Sequence, residues 1–162
     1  MSKNKKPCDL HIRKHFTVMD HNTLTTLGSK WLKNHVENGT VPNCNIIAND
    51  LRTATATGEQ PDVIGWCSWA SVLIETKISR LDFKQDFKKV FRINEFLGIG
   101  NFRYYLVPES LISPDEIPKK WGLLYYSERG IEIIKTAAKS ESNLDCERTI
   151  LLSIIRRKKT FL

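Results

Sequence analysis

The chain has 162 residues, 41% of them hydrophobic, and a formal net charge of +7. That length points to one domain with a real core, and no apolar run approaches the roughly eighteen residues of a membrane span. The basic balance favours polyanionic partners without naming one.

The N-terminal stretch "MSKNKKPCDLHIRKHF" carries charge but no apolar segment of the kind a secretory signal needs. A cytoplasmic protein is the expectation. The four cysteines, Cys8, Cys44, Cys67 and Cys146, form no C-x-x-C knuckle and read as free thiols. Cys8, His11 and His15 have ligand-like types, but they are terminal, flanked by lysines and short of a fourth ligand. Residues 1–20 therefore read as a flexible basic arm, and residues 21–162 as the domain.

"NTLTTLGSKWLKNHVENG" reads as a helix capped by Asn22 or Thr23. Leu24, Leu27, Trp31 and Leu32 fall at helical spacing, and Gly39 lies just past the end. "CNIIANDL" follows as a short strand with Asp50 near its end, then "RTATATGEQ" as a polar loop. A hairpin comes next: Asp62 to Trp66, the connection "CSWAS", and Val72 to Ile78. In its second strand Val72, Ile74, Thr76 and Ile78 share one face; Leu73, Glu75 and Lys77 share the other.

"SRLDFKQDFKKVFR" reads as one amphipathic helix, with Phe83, Phe87, Val90 and Phe91 inward. Ser79 and Asp82 have the form of a capping box. "FRYYLVP" is a strand stopped by Pro108, and "SPDEIP" a capped helical turn begun by Ser113. "WGLLYY" and "IEIIK" form a hairpin across "SERG". Residues 144–158 form a closing helix with Leu151, Leu152, Ile154 and Ile155 inward. Trp66, Trp69 and Trp121 read as core or loop packing. The order predicts a single α/β (α+β) domain.

Asp62, Glu75 and Lys77 suit one chemistry together. Phosphodiester hydrolysis needs a hard cation to polarise a phosphoryl oxygen and acidify a water. Magnesium takes oxygen ligands, and two carboxylates with a carbonyl and waters suffice. An ammonium beside that water orients it and offsets developing negative charge. Neighbouring strands would bring Asp62 and Glu75 to one metal, with Lys77 on the same face as Glu75. As a bare pattern this is weak, because surface Glu–Lys strand pairs are common.

Rival chemistries lack their residues. There is no phosphate-binding G-x-x-x-x-G-K-[ST] loop, and "GIGNF" fails the G-x-G-x-x-G spacing. No G-x-S-x-G elbow appears. The histidines, His11, His15, His21 and His35, all precede the strands, so no H-E-x-x-H helix exists.

Pro61-Asp62 followed by Glu75-Thr76-Lys77 resembles the signature of the PD-(D/E)xK nuclease superfamily, whose fold is restriction-endonuclease-like. More narrowly, "PDVIGW", "VLIETKISRLDFKQDFKKVFR", "FRYYLVPESLI" and "EIPKKWGLLYY" resemble the MmcB-type DNA repair proteins. The likeness runs over about residues 59–126, and "ERTILLSIIRRKK" is similar to that family's closing helix. The resemblance implies a mixed central sheet flanked by helices. It implies Mg2+ or Mn2+ held by Asp62 and Glu75, the Thr76 carbonyl as a further ligand, and Lys77 as the catalytic lysine. Superfamily members often add an upstream acid on the first helix. Here that helix holds only Glu37, so Asp50 is the better positional candidate and Glu59 a third. Many nucleases of this fold pair to cut both strands, so a homodimer is compatible.

Arg80, Lys84, Lys88, Lys89 and Arg92 follow the acids and could neutralise phosphates. Arg103 and Tyr104 or Tyr105 either line the groove, with a tyrosine stacking on a base, or are half-buried strand residues. The leading expectation is a metal-dependent nuclease acting on DNA in repair or restriction-type processing. A nuclease-fold module that binds DNA without cutting it is the second. A protein-interaction domain with a vestigial site is the third.

Overall fold

The computed structural model describes residues 19–34, 41–49, 51, 53 and 55–157. The helix α1 spans His21–Asn34 and is followed by three strands, β1 (Ile46–Asn49), β2 (Val63–Trp66) and β3 (Ser71–Thr76). Two short helices come next, α2 (Arg80–Asp86) and α3 (Val90–Ile93), then a 3-10 turn over Glu95–Leu97. The chain closes with β4 (Phe102–Pro108), β5 (Gly122–Ser127), β6 (Gly130–Lys135) and α4 (Leu144–Arg157). The expected order of elements is observed, in one mixed α/β domain.

The strands form one six-stranded sheet in sequence order. β1–β2–β3 pair antiparallel, β3–β4–β5 parallel, and β5–β6 antiparallel. The two parallel steps need crossovers. The first is made by α2 and α3, the second by the irregular segment 109–121.

Both faces of the sheet are covered, so the central strands are mostly apolar, with Glu75 in β3 and Arg103 in β4 as buried charges. Val63, Val72, Ile74, Tyr104 and Leu106 pack with Leu24 and Leu32 of α1. Ile64, Leu73, Tyr105, Val107 and Leu123 face the other way, onto Phe83, Ile112, Trp121, Cys146 and Ile150. This alternation is the period-two geometry of a strand. Gly28 allows α1 its close approach, since a Cβ there would lie 2.9 Å from Leu106 Cδ2.

Several local expectations are corrected. The cap of α1 is Asp20, whose Oδ1 accepts from Thr23 N at 2.8 Å. Residues 80–92 are not one helix. Lys89 is extended (φ −71°, ψ 135°), which breaks the helical register. Val90 is therefore 54% exposed, while Phe83 and Phe91 stay buried. "SPDEIP" is a turn closed by Glu116 N to Ser113 O rather than helix. In α4 the inward stripe runs through Cys146, Glu147 and Ile150, and Leu152 and Ile155 face outward. Trp66 and Trp121 are buried as expected, but Trp69 is exposed. Asp50, Glu37, Gly39 and the cluster Cys8, His11 and His15 lie outside the described residues. Among the described residues no helix is long and apolar enough to cross a membrane.

Candidate active site

Asp62 immediately precedes β2, one step beyond the antiparallel pair Val63–Ile74. The pairing therefore sets it opposite Glu75 near the carboxyl end of β3. Ser79 caps α2, accepting from Asp82 N at 3.1 Å, and so turns the chain back over this end of the sheet. A cleft of about 260 Å³ results. Its lining includes Asp62, Glu75, Thr76, Lys77, Asp86 and Lys89.

Asp62 is fixed in place. Its Oδ2 accepts from Thr76 N at 2.8 Å and from the Thr76 hydroxyl at 3.1 Å. His21 Nε2 lies 3.4 Å from the same oxygen and 3.0 Å from the Thr76 hydroxyl. Thr25 of α1 completes this brace, 2.9 Å from Thr76. Burial pushes the Asp62 carboxyl up, but His21, the Lys77 ammonium and the Thr76 amide outweigh it and hold it below its ordinary range.

Lys77 lies at the centre. Its ammonium donates to Glu75 Oε2 at 2.9 Å and lies 3.7 Å from Asp62 and 3.8 Å from Asp86. Burial pushes its pKa down, yet Glu75, Asp62 and Asp86 raise it above the ordinary value. Lys77 is thus an ammonium at neutral pH. It can donate hydrogen bonds and offset charge; it cannot act there as a base.

Behind the acids lies Arg92, expected to grip DNA. That expectation is corrected: the side chain is only 1% exposed. It bonds Glu59, reaches Glu75 Oε1 at 3.0 Å and donates from Nε to Asp86 Oδ2 at 2.8 Å. Its guanidinium also lies over the Trp121 ring at 4.8 Å. Burial opposes its charge, but Glu75, Glu59 and Asp86 keep it well above its ordinary value. Burial also pushes the Glu59 carboxyl up, against Arg92. An arginine so surrounded stays charged, so the ion pair is the state that governs here. Glu59, weighed as an upstream acid, is fully buried and committed to Arg92 and to the Ile99 amide.

Arg103 and Tyr104 are corrected as well. Arg103 is 3% exposed and gives its hydrogen bonds to the carbonyls of Glu95, Gly98, Ile99, Gly100 and Glu141. It is the peg around which the "GIGNF" loop wraps. Tyr104 is fully buried on the α1 face, its hydroxyl accepting from Ala137 N. Neither lines the cleft that holds Asp62 and Glu75. Tyr105 is buried too, donating to Asp86 Oδ2 at 2.7 Å. Arg80 is exposed but paired with Glu116 and the Leu111 carbonyl. Lys84 and Lys88 are exposed on the outer side of the same segment, and Lys89 leans onto Asp86 at 2.6 Å.

Asp86 and His21 are cleft residues that the sequence reading passed over. Asp86 is 1% exposed. Burial would raise its carboxyl, but Arg92 and Lys77 hold it far below its ordinary range. Its signal was faint: one acid in a basic run, four residues after a capping acid.

No family model and no curated protein matches the chain. Among solved structures, a protein of unknown function from Silicibacter pomeroyi is similar, with TM-score 0.51 and 20% identity. The likeness covers 70% of this chain and 77% of that one. At that identity it concerns the fold alone.

Carboxylate oxygens are the donor type that a hard divalent cation takes. Asp62 and Glu75 offer carboxylate oxygens at one cleft, and the space between them already holds a cation, the Lys77 ammonium. Among the described residues no three or more His, Cys, Asp or Glu side chains already stand at metal-holding separation. The acids ring an ammonium instead.

Proposed function

We propose that the chain is a metal-dependent nuclease of the PD-(D/E)xK type that hydrolyses phosphodiester bonds in DNA, with a role in repair or restriction-type processing. The observation that carries this reading is the convergence of Asp62 and Glu75 on the Lys77 ammonium in one cleft. Asp62, Glu75 and the Thr76 carbonyl would hold Mg2+ or Mn2+. Such an ion polarises the phosphoryl oxygen and lowers the pKa of a water bound to it.

The chain's own groups supply the rest. The brace from His21 and Thr76 keeps Asp62 oriented and charged. Lys77, held protonated, orients the attacking water and offsets charge that develops on the phosphate. Lys84 on α2 and Lys88 in the turn after it, both exposed, neutralise phosphates of the bound strand without reading sequence. The reading expects DNA as partner, in the cytoplasm, and accommodates a homodimer.

One observation favours the second reading, in which the cleft binds DNA without cutting it. Glu75 is contacted by Arg92 on one oxygen and Lys77 on the other, so two cations already face one of the acids. Incubating the protein with supercoiled plasmid and single-stranded DNA in Mg2+, Mn2+ or EDTA separates the two. The nuclease reading expects cutting in metal and none in EDTA. Intact DNA that is nonetheless retained, in a salt-dependent gel shift, would replace it with the second.

A further inference from the structure

Beside α3 lies a second hollow, of about 510 Å³, lined by neither Asp62 nor Glu75. Its lining includes Ile93, Phe96, Lys119, Lys120 and Trp121. Ile93 is 75% exposed and Phe96 65%. Large apolar side chains grouped at a concave surface mark an interaction site.

The Phe96 ring is presented on a fixed backbone. Asn94 Oδ1 accepts from Phe96 N at 3.1 Å and caps the 3-10 turn. Arg103 ties the same turn down from inside. It donates to the carbonyls of Glu95 at 3.0 Å and Gly98 at 2.9 Å, on either side of the phenylalanine in the chain. Trp121 is not available for stacking: Tyr105 stacks on it at 4.4 Å and the Arg92 guanidinium lies over its ring at 4.8 Å. Phe96 has no aromatic neighbour among the described residues. The rim is positive. Lys120 neutralises Glu95, at 2.9 and 3.0 Å, while Lys119 is exposed and in no ion pair among the described residues.

An open ring beside an unpaired ammonium suits a ligand with a flat π-face and a negative charge. A nucleotide with an unpaired base has both. A duplex keeps the faces of its bases inside the stack. The hollow also adjoins the cleft. Lys89, just before α3, lines the cleft, and Ile93, at the end of α3, lines the hollow. Four residues of helix rise about 6 Å, about two nucleotides at the ~3.4 Å spacing along one DNA strand.

We propose that this hollow binds an unpaired stretch of the DNA strand that enters the cleft, with one base stacked on Phe96 and Lys119 on a phosphate. The inference rests on the reading of the chain as a DNA-binding nuclease, and it deepens that reading by naming single-stranded or frayed DNA as the substrate form.

The test reads binding in EDTA, where no metal-dependent cutting occurs. Fluorescence anisotropy compares a labelled single-stranded oligonucleotide with its duplex across a salt series. The samples are wild type, Phe96→Ala, Phe96→Trp, Lys119→Glu and Leu81→Ala, the last an exposed apolar residue of α2 outside the hollow. Wild type is expected to prefer the single strand. Phe96→Ala is expected to weaken single-strand binding by at least about fivefold and leave duplex binding unchanged, and Phe96→Trp to restore it. Lys119→Glu should weaken it and lower its salt dependence, while Leu81→Ala changes neither. Phe96→Ala binding single strands like wild type would overturn the inference, as would an equal loss on both DNA forms. A wild-type dimer that Phe96→Ala dissociates in sedimentation velocity would overturn it in favour of a second copy of the chain. The two readings fail separately. Single-strand binding through Phe96 with no cleavage of any DNA in Mg2+ or Mn2+ would end the nuclease reading and leave this one standing. Metal-dependent cleavage with Phe96 irrelevant to binding would do the reverse.

Discussion

The Lys77 ammonium donates a 2.9 Å hydrogen bond to Glu75 Oε2, two residues back along the same stretch of chain. Period-two geometry puts both side chains on one face, and the burial of that face keeps the pair out of bulk water. The partners hold the proton on Lys77 against the pull of burial.

A pH dependence follows. A lysine whose folded pKa is raised contributes stability in full below 10.5, its ordinary value, and loses it as pH rises through the folded value. Lys77→Met should therefore flatten the alkaline fall in unfolding free energy. Denaturant titrations on both sides of 10.5 measure this, and an unchanged alkaline slope would show that the ammonium is not bound to the acids.

Asp62 carries the opposite sign. Its folded pKa lies below 3.8, so its contribution is present above 3.8 and disappears as pH falls through the folded value. Asp62→Asn should lower stability at neutral pH and shrink the acid-induced loss. Equal acid slopes for variant and wild type would contradict the His21–Thr76 brace.

Arg92 is a structural cation. Arg92→Ala takes from Glu59 its ion-pair partner and from Glu75 and Asp86 a shared one, and should cost about 3–5 kcal/mol, the range for breaking a buried ion pair by removing one partner. Urea unfolding at neutral pH gives the value. A loss within the few tenths typical of surface substitutions would mean that the arginine is not committed to Glu59, Glu75 and Asp86.

The exposed lysines should behave in the reverse way. Lys84→Glu with Lys88→Glu should leave stability nearly unchanged, yet weaken DNA binding and reduce its dependence on salt. Gel shifts across a salt series test this. Binding unaffected by both changes would place the phosphate contacts elsewhere.

Much of this site was legible because strands have a simple period. Val72, Ile74 and Thr76 alternate with Leu73, Glu75 and Lys77, so the shared face of the acid and the lysine followed from counting. Arg92 was not legible. Its helical spacing from the phenylalanines assumed an unbroken helix, and the extended Lys89 resets the register, turning Val90 outward and Arg92 inward. Arg103 was missed for another reason. Nothing local marks a buried arginine, since its partners are backbone carbonyls of a loop closed by tertiary folding. In α4 the apolar stripe was read too far toward the C-terminus. The buried polar residue there is Glu147, which accepts from Trp66 Nε1 at 2.8 Å and Ser71 Oγ at 2.6 Å. A charge that ties α4 to the sheet this way cannot be told from a solvated one by periodicity alone.

The most direct measurement compares wild type with Lys77→Ala on supercoiled plasmid and single-stranded DNA, each in Mg2+, Mn2+ or EDTA. The account predicts metal-dependent cutting by wild type, absent in EDTA and lost by at least about a hundredfold in the variant, the scale of a transition-state charge contact. Full metal-dependent cleavage by Lys77→Ala would contradict the assignment of this cleft as the catalytic site.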